Sequence, residues 1–133
     1  MTLRDRWRRP RRPWHRGTSG QAKILVVEAD ESDGTFVELD SAGIIVTNVE
    51  ADHLEYYGSF DKLEETFVRF VRNAAGPKVI CIDDPGAAKL SAACASDDLI
   101  TYGTRPGATW RIIEPLPTPV GISFSGLRTA TIR

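Results

Sequence analysis

Four short segments rich in apolar residues constrain most strongly the architecture that this chain can adopt. The runs are Ile24–Val27, Gly43–Val49, Lys78–Asp83 and Leu99–Gly103. Apolar runs of this length, without polar alternation, are typical of strands buried on both faces of a sheet. Helices are predicted between them over residues 61–74 and 84–94. Strands that alternate with helices indicate a mainly parallel sheet with flanking helices.

Local signals predict where these helices begin and end. The first helix presents an apolar face made of Leu63, Phe67, Phe70 and Ala74. Asp61 and Glu64 form a predicted capping pair at its start, and Gly76-Pro77 ends it. Asp84 is placed to cap the second helix, with Pro85 in the first turn, where a proline is tolerated.

The end of the chain has a different pattern. Trp110–Glu114, Val120–Ser125 and Arg128–Ile132 are predicted to be short strands joined by Pro/Gly turns. Strands in such close succession pair in antiparallel fashion. The predicted fold class is therefore α/β, a mainly parallel sheet with flanking helices and a short antiparallel C-terminal tail.

The start of the chain differs in charge from the remainder. Residues 1–20 contain seven arginines and one acidic residue, whereas residues 21–133 are acidic. Prolines and glycines break any regular element there, so we expect a disordered, Arg-rich segment over residues 1–22 and a domain over 23–133. The arginines, with Trp7 and Trp14, would suit phosphate backbones and bases. Arg, Pro, Trp and Gly also share GC-rich codons, and an out-of-frame start is the interpretation that we favour over nucleic-acid binding.

Composition narrows the class of protein further. No apolar stretch approaches the ~20 residues of a membrane span, and the N-terminus shows no apolar signal region. The two cysteines, Cys81 and Cys94, lack metal-ligand spacing. They indicate idle thiols in a reducing, cytoplasmic compartment.

Polar side chains follow three of the predicted strands. Glu28 follows the first, His53 the second, and Asp83-Asp84 the third. Ligands of parallel sheets bind beyond the carboxyl ends of the strands, where carboxylates suit Mg²⁺ and an imidazole can complete a mixed site. A solvated acidic turn, a structural histidine and a helix cap are the competing interpretations. The residue pattern by itself favours them.

Two longer segments carry a family resemblance. VVEADESDGTF at Val26–Phe36 and TNVEADHLEYYGSF at Thr47–Phe60 resemble signature segments of the Mur ligases. The resemblance is collinear over about residues 23–125 and is greatest to the branch that adds L-alanine, with a peptide-recycling branch as the rival. It implies a partial Mur ligase central domain, which handles ATP.

The resemblance implies an ATP-dependent reaction with Mg²⁺ as the metal cofactor. The branch joins L-alanine to UDP-N-acetylmuramate through an acyl phosphate, a step of peptidoglycan synthesis and cell-wall biogenesis on which cell shape and division depend. Glu28 and His53 are implied to be metal ligands. Asn48 and Asp52 share the motif of His53 and are implied to position it and bound water. The substrate-side loop is implied to be Asp30, Glu31, Ser32 and Asp33.

One family feature does not occur in this sequence. Mur ligases bind phosphates with a glycine-rich loop that ends in Gly-Lys-Thr or Gly-Lys-Ser. Gly17–Ala22 is only a faint echo, with Gln21 and Ala22 in place of the lysine and hydroxyl. We therefore expect a fragment that is inactive alone, and an exposed sheet edge through which it self-associates. We also expect Glu28 and His53 to converge around divalent ions.

Overall fold

The computed structural model describes residues 25–96 and 98–129, and the chain divides into two compact units, residues 1–30 and 31–133. In the first unit, residues 25–30 form neither helix nor strand, and Leu25 and Val26 are exposed. For residues 25–27 the predicted first strand is therefore wrong. A buried strand needs hydrogen-bonded neighbours, and these residues belong to no sheet. Residues 1–22, with their predicted disorder and domain boundary, lie outside the described residues.

The second unit is built on a five-stranded sheet whose strands are neighbours in sequence order. They are β1 (Ile44–Val46), β2 (Lys78–Cys81), β3 (Leu99–Gly103), β4 (Trp110–Thr118) and β5 (Gly121–Arg128). The pairs β1–β2, β2–β3 and β3–β4 are parallel, and β4–β5 is antiparallel. This topology confirms the predicted fold class. In the described sheet β1 and β5 are the edges, and self-association through an edge stays a prediction.

The antiparallel tail has two long strands where three short ones were predicted. β4 and β5 form a hairpin that turns at residues 119–120. The pairing register shifts between Ile113 and Leu116, and Glu114 has a positive φ of 51°. A bulge at this point accommodates Pro115, which has no N–H to donate, so the strand continues beyond its predicted end. Of the third predicted strand, Arg128 lies within β5 and residues 130–132 lie outside the described range.

Helices precede and follow β2. They are a 3₁₀ helix (Thr35–Glu38), α1 (Leu54–Tyr57), α2 (Phe60–Asn73) and α3 (Pro85–Ala93). The sequence predicted α2 and α3 but not the two short helices. The predicted capping pair of α2 is wrong, because Ser59 caps this helix by accepting from the Lys62 N–H at 3.4 Å. Glu64 instead accepts from Lys89 of α3 at 2.7 Å.

The core lies between α2 and one face of the sheet. Leu63, Phe67 and Val71 recur every four residues, and α2 buries this stripe. Leu63, Val71 and Ile80 of β2 are fully buried. Burial of side chains of this size stabilises a fold by about 1.5–3 kcal/mol each. This apolar packing holds the loops at the ends of β1 and β2 in place.

An ion pair supports the start of β2. Lys78 is buried, and its Nζ donates to the Asp98 carboxylate and, at 3.4 Å, to the Gly76 carbonyl. The other Asp98 oxygen accepts from the Ser96 hydroxyl at 2.6 Å. The hydrogen bonds from Lys78 and then Ser96 hold the pKa of Asp98 below its usual 3.8. The interaction therefore favours the ionised carboxylate.

Replacing Asp98 with asparagine should destabilise the fold at neutral pH, and the difference from the unmodified chain should shrink in acid. A carboxylate whose pKa falls on folding stabilises the fold fully above its unfolded pKa. That contribution is lost as the pH falls through the folded pKa. The two chains should therefore differ most in free energy of unfolding, measured in urea, at about pH 7 and less at about pH 3. Glu38→Gln, at an exposed side chain, is the control. A difference that stays constant with pH would contradict the ion-pair assignment.

Candidate functional site

Residues 31–34 form a tight turn, the acidic turn, before the 3₁₀ helix. The Gly34 N–H donates to the Glu31 carbonyl at 3.1 Å, and Gly34 has a φ of 66° that suits glycine. One oxygen of Asp33 accepts from the Thr35 N–H at 3.0 Å and from its hydroxyl at 2.6 Å. Asp33 therefore shapes this turn, and Ser32 lies half-buried within it.

His53 lies between β1 and α1 with a left-handed backbone, φ 52°. The Asp52 N–H donates to the Glu50 carbonyl at 2.9 Å, and an Asp52 carboxylate oxygen accepts from the His53 N–H at 2.8 Å. The imidazole has a carboxylate near each nitrogen. Nε2 is 3.9 Å from Asp52 and Nδ1 is 3.7 Å from Glu55. The ring therefore stands half-exposed between two acids.

Asn48 lies at the other end of the same segment. Its carbonyl oxygen accepts from the Thr47 hydroxyl at 2.8 Å, and its amide donates to Glu50 at 3.3 Å. These bonds hold Asn48 within the β1 exit, and none of them reaches His53. Of the motif members, Asp52 is thus the one that contacts the histidine.

Two tyrosines of α1 contact the acidic turn, and α1 begins directly after His53. The buried Tyr57 donates its hydroxyl to the Glu31 carbonyl at 2.5 Å. The Tyr56 ring lies so close to Gly34 that an added Cβ would be 2.8 Å from it. The sequence patterns did not indicate either tyrosine as a site residue, although the two stand three and four positions after His53. The structure thus brings two of the motif segments together through α1.

Asp30 and Glu28 belong to the first unit, where both side chains are exposed. His53 and the turn that begins at Glu31 belong to the second unit. The predicted convergence of Glu28 and His53 therefore stays a prediction.

The acids after β2 have structural partners. Asp83 accepts from the N–H groups of Thr104 at 2.7 Å and Arg105 at 3.1 Å. Burial acts to raise the pKa of Asp83, but the hydrogen bonds from Thr104 and Arg105, together with the Arg105 charge, hold the pKa below its usual 3.8. Asp84 accepts from the Ala87 N–H at 2.7 Å and caps α3, as predicted from the sequence.

The donors of this region suit a particular kind of metal site. Among residues 25–96 and 98–129, no three His, Cys, Asp or Glu side chains are grouped to hold an ion. A zinc cage would need about four protein ligands. Mg²⁺ is usually held by only one or two carboxylates, together with substrate phosphates and water. The exposed carboxylates fit the second kind of site, whereas an imidazole is a softer donor that would only complete a mixed site.

Two surface depressions flank α2. The smaller, about 390 Å³, is lined by side chains of both signs and by the two tyrosines. Its lining includes Gly34, Tyr56, Tyr57, Lys62 and Arg69. The larger, about 660 Å³, lies between α2 and α3. Neither depression is lined by a predicted site residue, but the smaller includes the two tyrosines that contact the turn at residues 31–34.

Comparison with known proteins identifies the class to which this fold and site belong. A family model described as the Mur ligase middle domain matches residues 14–126. The chain belongs to the Mur ligase family. This finding confirms the resemblance inferred from the two motif segments.

Several similar curated proteins share one name. UDP-N-acetylmuramate–L-alanine ligases of Parvibaculum lavamentivorans, Clavibacter sepedonicus and a Caulobacter species are 47%, 44% and 40% identical to this chain. The matches cover 69%, 71% and 79% of this chain, and 19%, 20% and 23% of the relatives. The chain thus spans about a fifth of the length of the relatives that it matches.

One solved structure also matches this chain. A crystal structure of MurF from Acinetobacter baumannii matches with a TM-score of 0.47 and 20% identity, over 77% of this chain and 25% of that one.

Within the described part of the chain, none of the helices has the length and apolar character needed to cross a membrane.

Proposed function

We propose that this chain is part of the middle domain of a ligase that joins L-alanine to UDP-N-acetylmuramate. The reaction consumes ATP, passes through an acyl phosphate and belongs to cytoplasmic peptidoglycan synthesis. The hydrogen bond from Tyr57 to Glu31 carries the proposal, because it ties the acidic segment to the segment of His53. Identity of 40–47% to ligases of that name supports it.

The proposed roles follow the chemistry of the side chains. Glu28 and His53 would each help to hold a different Mg²⁺ ion. Such ions, when bound, would supply positive charge that screens the repulsion between the substrate carboxylate and the triphosphate. Asp52 orients His53 through its hydrogen bond to the backbone, and Asn48 fixes the start of the same loop.

The acidic turn forms the substrate side of the site. Tyr57 and the internal bonds of the turn fix its backbone, so the side chains of Glu31 and Ser32 have a defined place beside α1. Asp30 and Asp33 flank them in sequence. Fixed polar groups of this kind hold a substrate in a reactive orientation, which lowers a barrier without new chemistry.

A segment exchange tests the proposal. The 94-residue stretch of the Parvibaculum ligase that aligns with this chain is replaced by the aligned part of this chain. The chimera should release phosphate only when ATP, UDP-N-acetylmuramate and L-alanine are all present. His53→Ala should reduce that turnover by about 100-fold or more, and Asp52→Ala by about 10–100-fold. Phosphate release is measured by a coupled assay.

The controls separate the alternatives. Phe124→Ala in the same chimera changes an exposed side chain of β5 and should leave turnover unchanged. The 133-residue chain by itself should release no phosphate, because its sequence contains no Gly-Lys-Thr or Gly-Lys-Ser loop. Turnover with a peptide in place of L-alanine would favour the recycling branch. A folded chimera that is inactive, or one that is indifferent to His53→Ala, would contradict the proposed function.

A further inference from the structure

Asp84 does more than cap α3. The oxygen that accepts from the Ala87 N–H also accepts from the N–H of Val49, at 3.0 Å. Val49 is 35 residues away in sequence, is buried, and lies three residues after the end of β1. The cap of α2, by comparison, accepts from Lys62 within its own helix. One carboxylate oxygen thus joins the start of α3 to the exit of β1.

Gly86 brings the same two segments into contact. A Cβ at this position would lie 2.0 Å from the carbonyl oxygen of Val49 and 3.0 Å from its carbonyl carbon. The first turn of α3 therefore packs directly on the Val49 backbone. Asp84 accepts from the Val49 N–H, and Gly86 lies against the Val49 C=O. The start of α3 therefore fixes both backbone polar groups of Val49.

His53 lies four residues after Val49, and a short turn links the two. The intervening turn is braced by the bond from Asp52 to Glu50 and by the Asp52 carboxylate on the His53 N–H. We propose that Asp84 is a positioning residue for His53, acting with Gly86 through Val49. The functional part of this inference rests on the proposed role of His53 in binding a cation.

The test follows the imidazole of His53 in the full 133-residue chain by NMR. The sequence has two histidines, so a His53→Gln variant assigns the signal. Asp84→Ala should shift and broaden the His53 ring signal. Asp84→Asn should restore it, because the amide oxygen can accept both hydrogen bonds without the charge. Asp83→Ala is the matched control, since it also removes two backbone bonds, but from the loop of Thr104 and Arg105.

The control makes a simple loss of stability distinguishable from loss of position. If Asp83→Ala and Asp84→Ala disturb His53 equally, or if Asp84→Asn fails to restore the signal, the positioning role is wrong. Added Mn²⁺ then probes the cation role separately. If Mn²⁺ broadens the His53 signal in the unmodified chain and in Asp84→Asn, but not in Asp84→Ala, the whole inference is supported. Broadening that is equal in all variants overturns positioning and leaves the cation role standing. A His53 signal that responds to Asp84→Ala but never to Mn²⁺ supports positioning and contradicts the cation role.

Discussion

Gly86→Ala should destabilise the second unit by about 1–3 kcal/mol, the usual cost of overpacking a tight contact. Alanine is otherwise the better residue in a helix, by about 1 kcal/mol, so helix propensity alone predicts the opposite sign. The new methyl group would lie 2.0 Å from the Val49 oxygen, a separation at which one segment must move. The expected displacement is of α3 away from the β1 exit. Urea unfolding, followed by circular dichroism, measures the change.

Gly126→Ala is the matched control for this substitution. A Cβ at position 126, in β5, would meet no atom within 4 Å. The same chemical change should therefore not destabilise the chain, and it should stabilise it by up to about 1 kcal/mol because alanine has less conformational freedom to lose in a strand. Equal effects of the two substitutions, or stabilisation by Gly86→Ala, would show that α3 does not pack on Val49 as described.

Phe36→Ala should have a larger effect, about 3–5 kcal/mol, because it empties a buried aromatic site. Phe36 is 4% exposed, and its ring centroid lies 5.1 Å from that of Phe67 and 4.9 Å from that of Phe70. It is also the anchor of the 3₁₀ helix that follows the acidic turn. Loss of the ring should therefore loosen the turn as well as the core.

Two measurements separate these consequences. Urea unfolding gives the loss of stability, and Phe124→Ala, at a side chain 59% exposed, should cost less than about 0.5 kcal/mol. Hydrogen exchange of the Gly34 amide, which donates to Glu31, reports on the turn. If the Gly34 amide of Phe36→Ala exchanges faster than the measured loss of global stability accounts for, the anchoring role is confirmed. Unchanged stability would contradict the aromatic cluster.

The elements that the sequence predicted are those that depend on local patterns. The apolar stripe of α2 and the runs of β2 and β3 each carry their signal within one element. The Asp84 cap with Pro85 has an equally local cause. The strand predicted over Ile24–Val27 has the same kind of apolar run, but a strand also requires a hydrogen-bonded neighbour. That requirement is not written in the run itself.

Other departures also have identifiable causes. Gly58, with φ 80°, ends α1 and leaves Ser59 extended, so Ser59 and not Asp61 caps α2. The register shift between Ile113 and Leu116 accommodates Pro115, so β4 continues past the strand end that the sequence predicts at Glu114. In both places a backbone conformation, visible only after folding, decided between competing side-chain signals.

The sequence predicted the segments of the candidate site but not the contacts that join them within the second unit. The motifs around Glu31 and His53 were recognised as sequences of residues. The contacts that bring them into register, Tyr57 with Glu31 and Asp84 with Val49, join positions 26 and 35 residues apart. Such pairs depend on how α1 and α3 pack, which no local periodicity reports.

The left-handed backbone of His53 places two requirements on one residue. For an L-amino acid this conformation costs about 1–2 kcal/mol, whereas glycine adopts it freely. Foldability alone would thus favour glycine at this corner, so His53→Gly should raise the free energy of unfolding. Under the proposed role of His53 in binding a cation, the more stable variant would be the one without the imidazole.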